Sequence, residues 1–213
     1  MKKLTVLILL FTLSGIARSQ ESAYDDKVEY QKKTQETFAI AFPYPSSVVE
    51  DALVEKLEKM GFKTKESKGF RTYKGIVIKN ITPESMDYVF RVERKSRKEK
   101  DESVVYMLIM KGDANMFSLL GDDVKNQARR FLNDMAPYME AFNLEVEISK
   151  QQDVVDKAEK KLKKLEDDAD DLQRKLKKLQ GDIEDNAKDQ ENQSGEIQNQ
   201  KLVLEAMKAK RKN

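Results

Sequence analysis

The sequence predicts an α+β head with the element order β-α-β-β-β-β-α and a mostly antiparallel sheet, followed by a long C-terminal coiled-coil helix. Two observations predict this division: every aromatic residue and every proline lies at or before Phe142, and a heptad repeat runs through the residues that follow. Because aromatic side chains supply much of the area that a compact core buries, only the first part can fold alone. The expected segments are a signal peptide at 1–19, an N-terminal linker at 20–34, the head at 35–143, the coiled-coil helix at 144–210 and a tail at 211–213.

The first segment has the layout of a secretory signal peptide. Two lysines precede an apolar run that ends before Arg18, and this run is shorter than the roughly 20 residues that a transmembrane anchor needs. The small residues Ala17 and Ser19 place cleavage between Ser19 and Gln20. We therefore expect an exported bacterial protein, periplasmic or secreted, with no transmembrane segment after cleavage.

The head begins with a strand at 37–42, in which two phenylalanines and an isoleucine alternate with small residues and share one face. Prolines end this strand, and a helix follows. Ser47 and Glu50 have the spacing of a capping box for that helix. An apolar stripe continues along it, and Gly61 is expected to end it.

The second half of the head predicts four more strands and a second helix. The strands are expected at 62–65, 70–78, 86–95 and 103–111. Residues 104–110 are apolar on both faces, which indicates a central strand or one covered by a helix, whereas 113–121 is ambiguous. The second helix begins near Asp122 or Asp123 and lies on the sheet. Pro137 removes a backbone donor, so the helix should kink or restart there, and we place the hinge between head and arm at Pro137.

The arm carries nine unbroken heptads, more than the three or four that already predict a coiled coil. Thirteen of its eighteen a and d positions are apolar, whereas the overall composition of 39% would give about seven. An apolar seam of this kind needs a partner, which can be another copy of the chain, a different helical protein or the same helix folded back. The positions expected to drive self-association are Ile148, Val155, Leu162, Leu165, Leu172, Leu176, Leu179, Ile183, Ile197 and Leu204.

Two features of the arm bear on the choice of partner. A fold-back needs a turn between Asn192 and Gly195, but Gly181 and Gly195 both fall on the outer f position and the register continues across them, which favours one continuous helix. Amides also replace apolar residues in the distal seam, at Asn186, Gln190, Gln193 and Gln200. Such amides fix register and strand number, although a weak distal seam could instead open to bind another molecule.

Composition excludes several classes of site. The chain has no histidine and no cysteine, so imidazole and thiolate nucleophiles, metal ligands of those types and disulfides are absent. After cleavage, 37 basic and 38 acidic residues give a net charge of −1, unlike the basic face of a nucleic-acid binder. We expect no enzyme, no cofactor, no metal and no nucleic-acid partner. A carboxylate enzyme remains an alternative if two acids converge in a deep pocket of the head.

A signal peptide, a β-rich body and a charged helical arm form a plan that resembles the periplasmic holdase chaperones of the Skp type. In that family the arms are inserted within the body as hairpins, whereas here one arm follows the body. The resemblance implies binding of unfolded envelope clients and carries over no site residues. The function expected first is an exported, non-catalytic interaction protein whose head is displayed on a self-associating arm, and the alternative is a holdase-type chaperone.

Overall fold

A computed structural model describes residues 22–211, which form seven strands and three helices. The elements are β1 (Tyr24–Tyr30), β2 (Lys33–Phe42), α1 (Ser46–Lys59), β3 (Lys65–Ser67), β4 (Phe70–Ile76), β5 (Met86–Arg94), β6 (Ser103–Lys111), β7 (Ala114–Asn115), α2 (Asp122–Asn133) and α3 (Ala136–Arg211). The chain divides after Ser149 into two compact units, which we call the head and the arm. The expected signal peptide at 1–19, its cleavage site and the last two residues of the tail lie outside the described residues.

The head is an α+β unit, as the sequence predicts. Its sheet has the order β1-β2-β6-β5-β4-β3, with β7 paired to β6, and every pair of neighbouring strands in the described chain is antiparallel. Of the two alternatives expected for residues 104–110, a central strand is confirmed, because β6 lies between β2 and β5. The segment at 113–121, which was ambiguous in sequence, contains only the short strand β7 before α2 begins.

Residues 20–34 were expected to be a linker, and that interpretation was wrong. They contain β1 and the first residues of β2, which form a hairpin. Its two-residue turn places Gln31 and Lys32 at φ values of 52° and 63°, the positive angles that a type I′ turn requires. Only Val28 of β1 is fully buried. In the sequence, Asp26 interrupts the alternation of Tyr24, Val28 and Tyr30 with charged residues, and this interruption hides the strand.

The helices pack on one face of the sheet. Leu53 and Leu57 of α1, together with Leu132 of α2, are each fully buried there. Met139, in the second turn of α3, belongs to the same core and is 1% exposed. The first turns of α3 are therefore part of the head.

The two ends of α1 differ from each other in how well the sequence predicts them. The helix starts after Pro45 and no side chain caps it, so the predicted capping box of Ser47 and Glu50 was wrong. Glu50 instead accepts a hydrogen bond from Nε of Arg71 in β4 at 2.9 Å. A guanidinium partner gives a charge-assisted bond, which holds this carboxylate away from the backbone of the first turn.

The end of α1 at Gly61 is confirmed. Gly61 has a φ of 88°, which glycine adopts without steric penalty. Its N–H donates to the carbonyl of Glu58 at 2.8 Å, and the N–H of Phe62 donates to the carbonyl of Leu57 at 3.0 Å. These are the two hydrogen bonds of a Schellman motif.

The second face of the sheet is buried by the curl of the sheet itself. The ring centroids of Tyr30 in β1 and Phe70 in β4 lie 4.9 Å apart, although three strands separate β1 from β4 in the sheet order. The buried cluster on this face consists of Val28, Phe70, Val89, Leu108 and Met110. This second cluster explains why β6 is apolar on both of its faces.

Pro137 lies in the first turn of α3. Because α2 ends at Asn133 and α3 begins at Ala136, the helix restarts beside Pro137 as expected, in a position where proline removes no helical hydrogen bond. Ala136 and Met139, on either side of it, are both buried in the head core. The structure thus places Pro137 inside the head, and a hinge motion at this residue stays a prediction.

Candidate functional site

The candidate functional site is the apolar seam of the arm, which we define as the a and d positions from Val155 to Met207. All of these positions lie on α3, which is helical from Ala136 to Arg211. The helix passes through 192–195 without a break, so the described chain is not folded back there. Ile148, the first a position of the repeat, falls in the head unit.

The large apolar residues of the seam are exposed. All ten residues expected to drive self-association are at least 39% exposed, from 39% at Val155 to 68% at Ile183. Spacings of three and four residues place them on one side of the helix. Burying one such side chain fully contributes about 1.5 to 3 kcal/mol. Exposure of the whole seam to water is therefore costly. Burial of the seam against a partner is the strongest favourable interaction that the arm offers.

The remaining faces of the arm are mostly polar, and their ion pairs are weak. Its ion pairs include Arg174 with Asp171 at 2.6 Å and Lys208 with Glu205 at 2.8 Å, both highly exposed and three residues apart. Pairs of this type stabilise a helix by only about 0.2 to 0.5 kcal/mol each. Most helical stability in proteins comes from packing of an apolar face, so these pairs do not replace a partner for the seam.

The distal seam, which we define as its positions from Asn186 to Met207, differs in its hydrogen bonding from the proximal seam, which comprises the positions from Val155 to Ile183. Nε2 of Gln190 donates to Oδ1 of Asn186 at 2.6 Å, and Nε2 of Gln200 donates to Oε1 of Glu196 at 2.7 Å. A carboxamide has two N–H donors and a carbonyl with two lone pairs. Each of these amides therefore keeps hydrogen-bonding capacity for a facing helix after making its bond within the chain.

A polar cluster on the head was not predicted from the sequence. Glu55 of α1 accepts hydrogen bonds from the hydroxyl of Tyr138 at 2.5 Å and from the ammonium group of Lys59. Nζ of Lys59 also donates to the Tyr138 hydroxyl at 3.2 Å, and Nζ of Lys56 lies 4.8 Å from the centre of the Tyr138 ring. We call these four residues the α1–α3 clamp. The only sequence signal for it is the spacing of four residues between Glu55 and Lys59.

The electrostatics of the clamp favour its charged form. Hydrogen bonds from Lys59 and then from Tyr138 lower the pKa of the Glu55 carboxyl, and the bond to Glu55 raises the pKa of Lys59. Desolvation raises the pKa of Tyr138, and its hydrogen bond to Glu55 raises it further. The clamp is therefore ionised at Glu55 and Lys59 near neutral pH, and its contacts attach the start of α3 to α1.

The head also has an open cleft of about 350 Å³ between α2 and the loop that follows β4. Two buried residues, Ile81 and Phe131, contribute to its lining. Its polar lining consists of Lys79, Asn80, Gln127, Arg130 and Asp134. With Asp134 as its one carboxylate, the cleft lacks the pair of acids that glycoside cleavage requires.

Residues 22–211 contain no group of three or more acidic, histidine or cysteine side chains that could hold a metal ion. Within the same residues, no helix combines the length and the apolar character needed to cross a membrane.

Comparisons of the chain with models of protein families, with curated proteins and with solved structures found no match. Its function is therefore inferred from its own geometry. Among the features above, the exposed seam of the arm has the largest unsatisfied interaction energy and the clearest periodicity.

Proposed function

We propose that this chain is an exported, non-catalytic interaction protein that displays its α+β head on an arm that self-associates as a coiled coil. The single observation that carries the proposal is the exposure of the seam, where every leucine and isoleucine is between 46% and 68% exposed. The signal-peptide pattern of residues 1–19 supports export to the periplasm or beyond the cell.

The proximal seam is the part best suited to self-association. Every a and d position from 162 to 183 is apolar, and six of these residues are leucine or isoleucine. Covering them in two copies would contribute on the order of 10 kcal/mol, which is comparable with the roughly 4 to 15 kcal/mol that association costs. The proximal seam can therefore offset much of the cost of assembly, and the distal seam adds alignment.

Assembly through the arm would give the head a function that a single copy lacks. The head is a compact unit with its own core, and the arm sets how many heads are held together. Several weak contacts made at once raise the overall avidity by a factor of about 100 to 10,000 without any stronger single contact. We therefore propose that the arm determines copy number and that the head contacts the partner.

A pair of matched substitutions tests the proposal. Leu172 lies in the seam and is 64% exposed, whereas Leu202 lies on the outer f position and is 71% exposed. Leu172→Lys should raise the dissociation constant of the full chain at least tenfold, because it places a charge in the buried seam, and Leu202→Lys should leave it within about twofold. Sedimentation equilibrium measures both. Equal association of the two variants would show that the seam is not the interface.

A further inference from the structure

We infer that the occupant of the seam is a further copy of this chain, aligned parallel and in register. The inference rests on the proposed self-association and adds its orientation. It is carried by two independent features of the arm: the charges that flank the seam and the amides within it.

The flanking charges complement each other in a parallel assembly. In such a coiled coil, each g residue faces the e residue five positions further along the partner. Lys161 then faces Glu166 of the other copy, and Glu196 faces Lys201. The other six g–e pairs each contain an uncharged residue, and no pair joins like charges. Within the described arm, Lys161 and Glu166 make no ion pair of their own, so both are available to a second copy.

Only this alignment also places each amide of the seam opposite an identical amide of the other chain. In a parallel, in-register pair, each a or d residue faces its own counterpart. Asn186, Gln190, Gln193 and Gln200 would each meet an identical amide, which can both donate and accept a hydrogen bond. The leucines of the proximal seam would meet leucines, so no polar group is buried against an aliphatic one.

An antiparallel pair that overlaps over the whole repeat is less favourable. It sets a positions against d positions, so that Gln193 lies opposite Leu162 and Gln190 opposite Leu165. Buried amides would then lack partners on the facing helix. This alignment also brings some opposite charges together, but it sets Asp168 against Asp189 on the g positions, where like charges repel.

A parallel assembly has a direct consequence for the heads. Each head is joined to the N-terminal end of its own arm. Parallel arms therefore hold their heads at the same end of the coiled coil, where they can contact one partner together. An antiparallel assembly would hold them at opposite ends.

Disulfide trapping in the full chain tests the alignment. The chain contains no cysteine, so single substitutions report on one position each. Ala158→Cys and Ile197→Cys place thiols in the proximal and distal seam. Lys160→Cys and Leu202→Cys, on the outer f position, are the matched controls. Each variant is oxidised alone, the two seam variants are also oxidised as a mixture, and the association of every sample is measured by sedimentation.

A parallel, in-register assembly predicts that each seam variant alone converts most of its chains into covalent dimers, because the two thiols of a pair face one another, while the controls remain mostly uncrosslinked. If the variants associate but cross-link only when Ala158→Cys and Ile197→Cys are mixed, the arms are antiparallel and the inference is wrong, although self-association stands. If no combination cross-links and the chain sediments as a monomer, the proposed function fails together with the alignment.

Discussion

At the residue scale, burial of Tyr88 should make the stability of the head sensitive to alkaline pH. Its side chain in β5 is fully buried on the helix-covered face of the sheet. Among the described residues its hydroxyl has no hydrogen-bond partner, and burial raises its pKa to about 12. The ordinary pKa of tyrosine is about 10, so the unfolded chain loses this proton at a lower pH than the folded head.

The sign of the effect follows from this order. Because the folded pKa is the higher one, the stability linked to Tyr88 is complete below about pH 10 and is lost as the pH rises toward about 12. The loss should approach roughly 3 kcal/mol above about pH 12, and about half of it should be present at about pH 11. Tyr88→Phe should change the unfolding free energy at pH 7 by less than about 1 kcal/mol, since no hydrogen bond is removed, and should reduce the alkaline loss.

Denaturant unfolding of both proteins at pH 7 and at about pH 11 measures this difference. Some alkaline loss should persist in the variant, because burial also raises the pKa of Tyr73 on the neighbouring strand. An equal loss in the two proteins would show that Tyr88 is not responsible.

Individual residues also show which structural features a local sequence pattern can predict. The alternation around Phe38 and Ile40 predicts their burial, and both are fully buried. The contact between Glu55 and Tyr138 joins residues 83 positions apart, and no local pattern reports it. Glu50 of α1 has the spacing of a cap, but its partner Arg71 is in strand β4, so a tertiary contact determines where this side chain bonds.

At the element scale, the start of α3 is a part of the head core. Met139 is buried against the elements of the head, Phe142 packs against the same core, and the α1–α3 clamp holds Tyr138. The head as a compact unit extends to Ser149. A boundary drawn at 143 from the last aromatic residue therefore falls inside the helix, a few residues before the end of the head.

Met139→Ala should lower the unfolding free energy of the head by about 2 to 4 kcal/mol, because it removes buried apolar volume and leaves a cavity. Glu145→Ala on the same helix is the control and should change it by less than about 0.5 kcal/mol, since Glu145 is exposed. Denaturant unfolding followed by tyrosine fluorescence measures both, because every tyrosine lies at or before residue 138. A change no larger than that of the control would place α3 outside the head core.

Prediction of the elements succeeded where the sequence pattern is local. The strand expected at 103–111 has those bounds in the structure, and the helix expected to begin near Asp122 or Asp123 begins at Asp122. The strand β1 escaped prediction because only Val28 in it is fully buried. Its apolar contacts depend on the curl that brings Tyr30 to Phe70, and such curvature is set by the whole sheet.

At the scale of the whole molecule, the sequence predicts a head and an arm, and the structure shows both units. The heptad repeat predicts where the arm is apolar, and the exposure of Leu172 and Ile183 shows that this seam is uncovered in a single chain. Periodicity within one chain does not determine the partner, because the partner's side chains complete the interface. In the proposed assembly, orientation and copy number would depend on the pairing of charges and amides between chains.

Sedimentation equilibrium of residues 20–213 at micromolar concentration tests self-association most directly. Self-association predicts a mass that is a whole multiple of the single-chain mass and greater than one chain, falling toward the monomer on dilution. A single-chain mass at every concentration would contradict it. The exposed seam would then be left for a different helical protein or for an unfolded client.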